Sequence, residues 1–350
     1  MGPIDFSKFT AIKNEYLAFY DVCDLSAKLA SLETKFPNFK KYINYFNDKT
    51  KLENIITADN VELLKLKKLF DTCQINFEYA KCCSPNKKKD SDKNCNVCKE
   101  CILNKEKLDF HEEIMAVLDY ANRGKTNLRK LYSKVGLKTC YICNAQYALA
   151  INPESISTIG TSSKQTRYAA KFQFDHYLPK DRYPALSISF YNLLPICSSC
   201  NLIKGNREIG IDFLSTESSK WDDKFTFNVL ENSLSSFLLD QKPIEIDFID
   251  KYDYGTGILP LSERYDIKGI YNTQIDLIEE LIMRKLKYSE TYKDKLSMSF
   301  PKLFTNIDID ERIELGTYTK KEEIHKRPMS KFLQDINNQL DRFFQEKLKE

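Results

Sequence analysis

Residues 174–206 read "FDHYLPKDRYPALSISFYNLLPICSSCNLIKGN". Asp175 and His176 open the stretch, an isolated Asn192 follows, and Cys197 and Cys200 form a Cys-x-x-Cys knuckle with Asn201 directly behind it. The chain has only three histidines, so setting one between an aspartate and a pair of thiol ligands concentrates more chemistry than packing requires. The apolar residues around Gln173 predict a strand that ends at Asp175 and His176. "CSSCNLIKGN" predicts a knuckle leading into a short helix that carries Asn201.

Upstream, Cys140 and Cys143 form a second Cys-x-x-Cys pair. Two thiolates three positions apart can grip one face of a tetrahedral zinc, and a distant second pair completes it. A structural zinc on Cys140, Cys143, Cys197 and Cys200 is therefore expected, in preference to buried free thiols or a redox dithiol. It would draw both ends of the intervening segment together and bring its dispersed polar residues into one place. A further cluster, Cys82, Cys83, Cys95, Cys98 and Cys101, lies in the polar, basic stretch "CCSPNKKKDSDKNCNVCKEC". Four of those five could hold a second zinc in a loop.

The flanks are mostly helical in pattern, which makes the chain α+β in class. Residues 1–110 form a helical N-terminal region with the Cys-rich basic loop at its end; Leu63, Leu66, Phe70, Cys73 and Phe77 mark one buried face. Residues 111–215 carry the chemistry, with "QYALAI" and "AAKFQF" predicted to pair as a long hairpin. Residues 216–350 hold a strand pair, "FTFNVL" and "IEIDFI", and then helices. One helix is expected to start at Thr273 with Asp276 completing a capping-box-like turn, and to bury Ile275, Ile278, Ile282 and Leu286. The last is expected to be capped by Ser330 and to bury Phe332, Ile336, Leu340 and Phe343. "RGKTN" lacks the upstream glycine of a phosphate-cradling loop.

Composition limits the partners. With 350 residues, 42% hydrophobic and 29% charged, the chain can build a sizeable core without disulfides. No run approaches the roughly 20 apolar residues that span a bilayer, and the first residues lack a signal-peptide pattern, so no membrane association and a cytoplasmic location are expected. A net charge of +3 does not identify a nucleic-acid binder by itself.

Asp175-His176, Asn192-Leu193, Cys197-x-x-Cys200-Asn201 and Lys204 resemble the HNH endonucleases, over about seventy residues. Asn201 stands where the family more commonly has histidine, which resembles its His-Asn-Asn subclass and bears on metal preference. The wording of the window is also similar to HNH proteins of bacterial anti-phage defence, Septu-type nuclease subunits among them. The likeness implies a central zinc-braced ββα-metal core and divalent-metal-dependent hydrolysis of nucleic acid, with DNA the expected substrate. It also implies a partner ATPase or another defence-system subunit, and leaves the oligomeric state open. His176 would be the general base, since an imidazole near its ordinary pKa accepts a proton at neutral pH. Asn192 would orient that imidazole or its loop. Asp175 and Asn201 offer hard oxygens suited to Mg²⁺ or Mn²⁺. Lys180, Arg182, Lys204 and Arg207 would hold flanking phosphates, and His111 and His325 are expected to be structural or surface residues. Two alternatives remain: a non-catalytic zinc-ribbon module for nucleic acid or protein, which needs no Asp-His pair, and a ribonuclease with the same catalytic set.

Overall fold

The computed structural model describes residues 2–77, 99–120, 125–151, 169–217, 221, 223–288, 290–302 and 307–347. Helices α1 (Ser7–Leu17), α2 (Val22–Lys35), α3 (Lys49–Thr57) and α4 (Asn60–Asp71) form the N-terminal layer. Three of them start on an aspartate whose carboxylate accepts from the first-turn amides: Asp21 from Asp24, Asp48 from Lys51, and Asp59 from Val61 and Glu62. Leu63, Leu66 and Phe70 of α4 are buried as their spacing predicts, while Cys73 and Phe77 lie beyond its end. Helices α5 (Lys99–Leu118) and α6 (Lys125–Val135) lead into the first knuckle.

Among the described residues, three two-stranded antiparallel sheets follow. β1 (Leu149–Ile151) pairs with β2 (Ala169–Lys171), β3 (Gln173–His176) with β4 (Leu193–Ile196), and β5 (Phe225–Val229) with β6 (Ile246–Asp250). "AAKFQF" is thus not one strand: it divides at Phe172, and its second half leaves β1 for β4. β4 explains the change of partner, because all four of its residues are buried and such a run needs cover on both faces. Helix α7 (Ser198–Lys204) continues directly from β4 and packs back on β3.

The C-terminal part comprises α8 (Glu231–Asp240), α9 (Ile267–Asn272), α10 (Asp276–Lys287), α11 (Glu290–Ser299), α12 (Ile307–Leu315) and α13 (Ser330–Lys347). Two expected helix starts are corrected. Thr273 closes α9, giving its hydroxyl to Ile270 O, and α10 starts at Asp276. α10 buries Ile278, Leu281 and Ile282, one turn of a single stripe, which leaves Leu286 exposed. The Ser330 hydroxyl donates to Arg327 O and meets Thr317 Oγ1, so it ties the preceding turn instead of capping α13. Phe332, Ile336 and Leu340 are buried, with Phe227 and Tyr271 packed on Phe332. Buried side chains from all three expected regions form one contiguous cluster. No helix among the described residues is long and apolar enough to cross a membrane.

Candidate metal centre and the polar site beside it

Main-chain and side-chain hydrogen bonds shape the two knuckles. In the first, Asn144 takes the left-handed conformation, φ 56°, and its amide donates to Cys140 O at 3.0 Å, curling Cys140–Cys143 into a turn. The Asn144 side chain donates to Thr139 Oγ1 and to Ile324 O, and Tyr141 N donates to Pro195 O in β4. In the second, Cys197 caps α7 and Cys200 sits in its first turn, where Asn201 N donates to Cys197 O. All four sulfurs are buried and lie within 4.8 Å of one another. Four sulfurs about 2.3 Å from a tetrahedral zinc stand roughly 3.8 Å apart, so the cluster fits zinc with little adjustment. The thiols compete for protons at this distance: bonds from neighbouring thiols hold Cys197 and Cys143 below the ordinary thiol range, while burial pushes Cys140 up.

Beside the cluster, the strand period decides what meets what. Gln173 and Asp175 share the face of β3 that α7 covers, and Asn201 and Lys204, three apart, share the facing stripe of α7. Lys204 Nζ donates to Asp175 Oδ1 and to His176 O, both at 2.9 Å. Tyr141, inside the first knuckle, gives its hydroxyl to Asp175 Oδ2 at 2.5 Å. The pair is dry: Lys204 is 1% exposed and Asp175 5%. Burial raises the Asp175 carboxyl, and Lys204 and Tyr141 oppose that rise. Asn201, at the rim, gives its amide to Gln173 Oε1.

His176 points to the opposite face. Its Nε2 donates to Ser187 O at 3.0 Å, which fixes the hydrogen on Nε2 and leaves Nδ1 as the basic nitrogen. The Tyr120 ring covers it edge to face, with centroids 4.6 Å apart. Burial pushes the His176 pKa down to about 3, and the charges of Lys180 and Lys204 add to that. The carbonyl that holds His176 is itself held. Asn192, fully buried, accepts from Leu178 N at 2.7 Å and donates to Leu178 O at 3.1 Å and Leu186 O at 2.9 Å, bracing the loop that contains Ser187.

Asp175, His176 and Asn192 therefore lie on or beside the β3–β4 pair and not on the hairpin expected from the sequence, and the predicted ligand pair does not form. Asp175 is joined to Lys204, and Asn201 is turned to Gln173. As arranged, these residues do not fit Mg²⁺ or Mn²⁺, because both Asp175 oxygens already have donors, one of them a buried ammonium. Lys204 is also corrected as a phosphate contact, since its ammonium is buried on Asp175. Lys180, Arg182 and Arg207 are exposed, although Arg182 is drawn to Glu208 at 3.0 Å and Asp71 at 3.7 Å. His325 is buried against Thr139, and His111 Nε2 donates to Lys180 O. Cys82, Cys83, Cys95 and Cys98 lie outside the described residues, as does the side chain of Cys101. Tyr141, Gln173, Ser187 and Tyr120 were not singled out in the sequence; for Gln173 the two-residue spacing from Asp175 was the available signal.

Comparison with family models, curated proteins and solved structures finds no match to the chain.

Proposed function

We propose that the chain is a zinc-braced endonuclease of the HNH type, with β3, β4 and α7 as its ββα core, hydrolysing phosphodiester bonds of DNA. The observation that carries this is the relay from Asn192 through the braced loop to Ser187 O and His176. A zinc scaffold that only binds has no use for an imidazole held in one tautomer with Nδ1 unprotonated; burial pulls its pKa from the ordinary range expected of a base to about 3, so the bound phosphate, by offsetting Lys180, must raise it for the transfer. His176 Nδ1 takes a proton from water as the oxygen bonds to phosphorus; the P–O3′ bond then breaks and the 3′ oxygen leaves with a proton from solvent. Exposed Lys180 and Arg207 flank the window and supply charge for the substrate backbone. A divalent ion has no prepared donor set at Asp175, so no step is assigned to one. Anti-phage defence, with a controlling ATPase or another subunit, belongs to the same proposal.

The test is incubation of purified protein with plasmid, single-stranded DNA and RNA, with Mg²⁺ or Mn²⁺, against the His176→Ala variant. DNA cleavage that His176→Ala loses supports the proposal, and RNA-only cleavage makes the protein a ribonuclease. A second reading, a zinc module that binds nucleic acid without cutting it, is favoured by the commitment of Asp175 to Lys204. DNA binding with no cleavage by the wild type, alone or with a defence-system partner, would establish it.

A further inference from the structure

Lys204 is the one cation in the described residues that is both almost wholly buried and seated on a carboxylate of the candidate site. Its position is over-determined. The helix stripe of α7 aims it at Asp175, and its ammonium bridges Asp175 Oδ1 and the main-chain carbonyl of His176, both at 2.9 Å. Tyr141 closes the other carboxylate oxygen. A buried carboxylate requires a compensating charge, and a buried ammonium likewise, so each partner holds the other in place. A divalent cation approaching Asp175 meets a positive charge already at contact distance, in a setting where water screens little.

We infer that Lys204 is the resident cation of this site, and that in the free protein it keeps divalent ions off Asp175; a neutral residue at 204 would turn Asp175, with Asn201 at the rim, into a divalent-cation site. This rests on taking residues 174–206 as the chemical centre, and it departs from what the HNH likeness implies for Asp175.

The test is Mn²⁺ binding, read from the electron paramagnetic resonance of free Mn²⁺, with the zinc-loaded wild type, Asp175→Asn, Lys204→Met and Lys204→Gln. Wild type and Asp175→Asn are expected to give the same isotherm, and the Lys204 variants to gain one site at least tenfold tighter than anything in the wild type. Adding Asp175→Asn to Lys204→Met should abolish that site. A wild-type site that Asp175→Asn lacks would overturn the inference, as would folded Lys204 variants that gain nothing. Should neither Lys204 variant fold, the comparison of wild type with Asp175→Asn decides by itself. Nuclease function fails separately, in the cleavage assay with His176→Ala, which does not depend on who occupies Asp175.

Discussion

Asn192→Ala should cost the protein roughly 2–6 kcal/mol, and the figure follows from counting what the side chain leaves behind. The Leu178 amide and carbonyl have Asn192 as their partner, and both would be stranded in a buried loop. Leu186 O is spared, because Ser189 N also donates to it at 3.2 Å. Two stranded groups at about 1–3 kcal/mol each give the range. At about 2.1 cal/mol/K of unfolding entropy per residue, a chain of 350 residues loses roughly 1–2 °C in Tm per kcal/mol, so a fall of about 2 °C or more is expected. Thermal melting and urea unfolding of Asn192→Ala and Asn192→Asp supply the assay. Asp keeps the acceptor for Leu178 N but faces two carbonyls without a donor, and should be no better than Ala. The damage should also reach His176, since Ser187 lies in the loop that is loosened. A loss below about 1 kcal/mol, or an Asp variant as stable as wild type, would refute the bracing role.

Cys197→Ser should lower bound zinc by one equivalent and unfold the core, because structural zinc sites contribute about 10–16 kcal/mol of apparent binding energy; unchanged zinc content by atomic absorption would exclude the four-cysteine site. His176→Ala should lower DNA cleavage about 10²–10⁴-fold with nucleic-acid affinity nearly intact, as gel-shift and cleavage assays would show; equal losses in both would make it a binding residue. Asn201→Ala removes a rim hydrogen bond to Gln173 and should change stability by no more than about 1 kcal/mol; a larger fall by urea titration would mean a structural role. His325 has its pKa pushed down by burial from 6.5 to about 3. The folded form therefore resists a proton that the unfolded chain accepts. The stability it supports is full above about pH 6.5 and falls by roughly 1.4 kcal/mol per unit as pH drops toward 3. His325→Gln should lack that component in urea titrations across the range, and an unchanged slope would assign it elsewhere.

What could be read from the sequence depended on whether a contact is local. Two Cys-x-x-Cys pairs announce a metal by spacing alone, and the structure gathers Cys140, Cys143, Cys197 and Cys200 into one buried cluster. The strand pair around Phe227 and the stripe of α13 are periodic patterns that also came through. The partner of Asp175 did not. Asn201 and Lys204 lie on one stripe of α7, and which of them meets Asp175 depends on how far β3 is displaced along the helix. That is a property of the packed unit. Tyr141 reaches Asp175 only because the first knuckle folds against β4 through Tyr141 N and Pro195 O. Lys204 was misplaced for a general reason: a lysine in a basic, polar stretch is ordinarily solvated, and nothing local marks one that is buried.

The same contacts give the zinc centre a reach beyond its ligands. Asn144, directly after Cys143, donates to Ile324 O, accepts at its own carbonyl from Met329 N, and presents Oδ1 to Lys331 N at the start of α13. Tyr271 of α9 gives its hydroxyl to Cys143 O and packs its ring at a tilt against Phe227 and Phe332. The first knuckle is therefore where β5, α9 and α13 are fastened, while the second knuckle begins the helix that holds Asp175. A metal that fixes the distance between the knuckles fixes the C-terminal helices relative to β3 and α7 as well. It would act together with the Tyr141 N–Pro195 O bond, which already ties the first knuckle to β4 and sets where the Tyr141 hydroxyl meets Asp175. The four-cysteine cluster and the polar site share no ligand, yet the Tyr141 hydroxyl on Asp175 joins them, so the geometry of the cluster bears directly on that carboxylate.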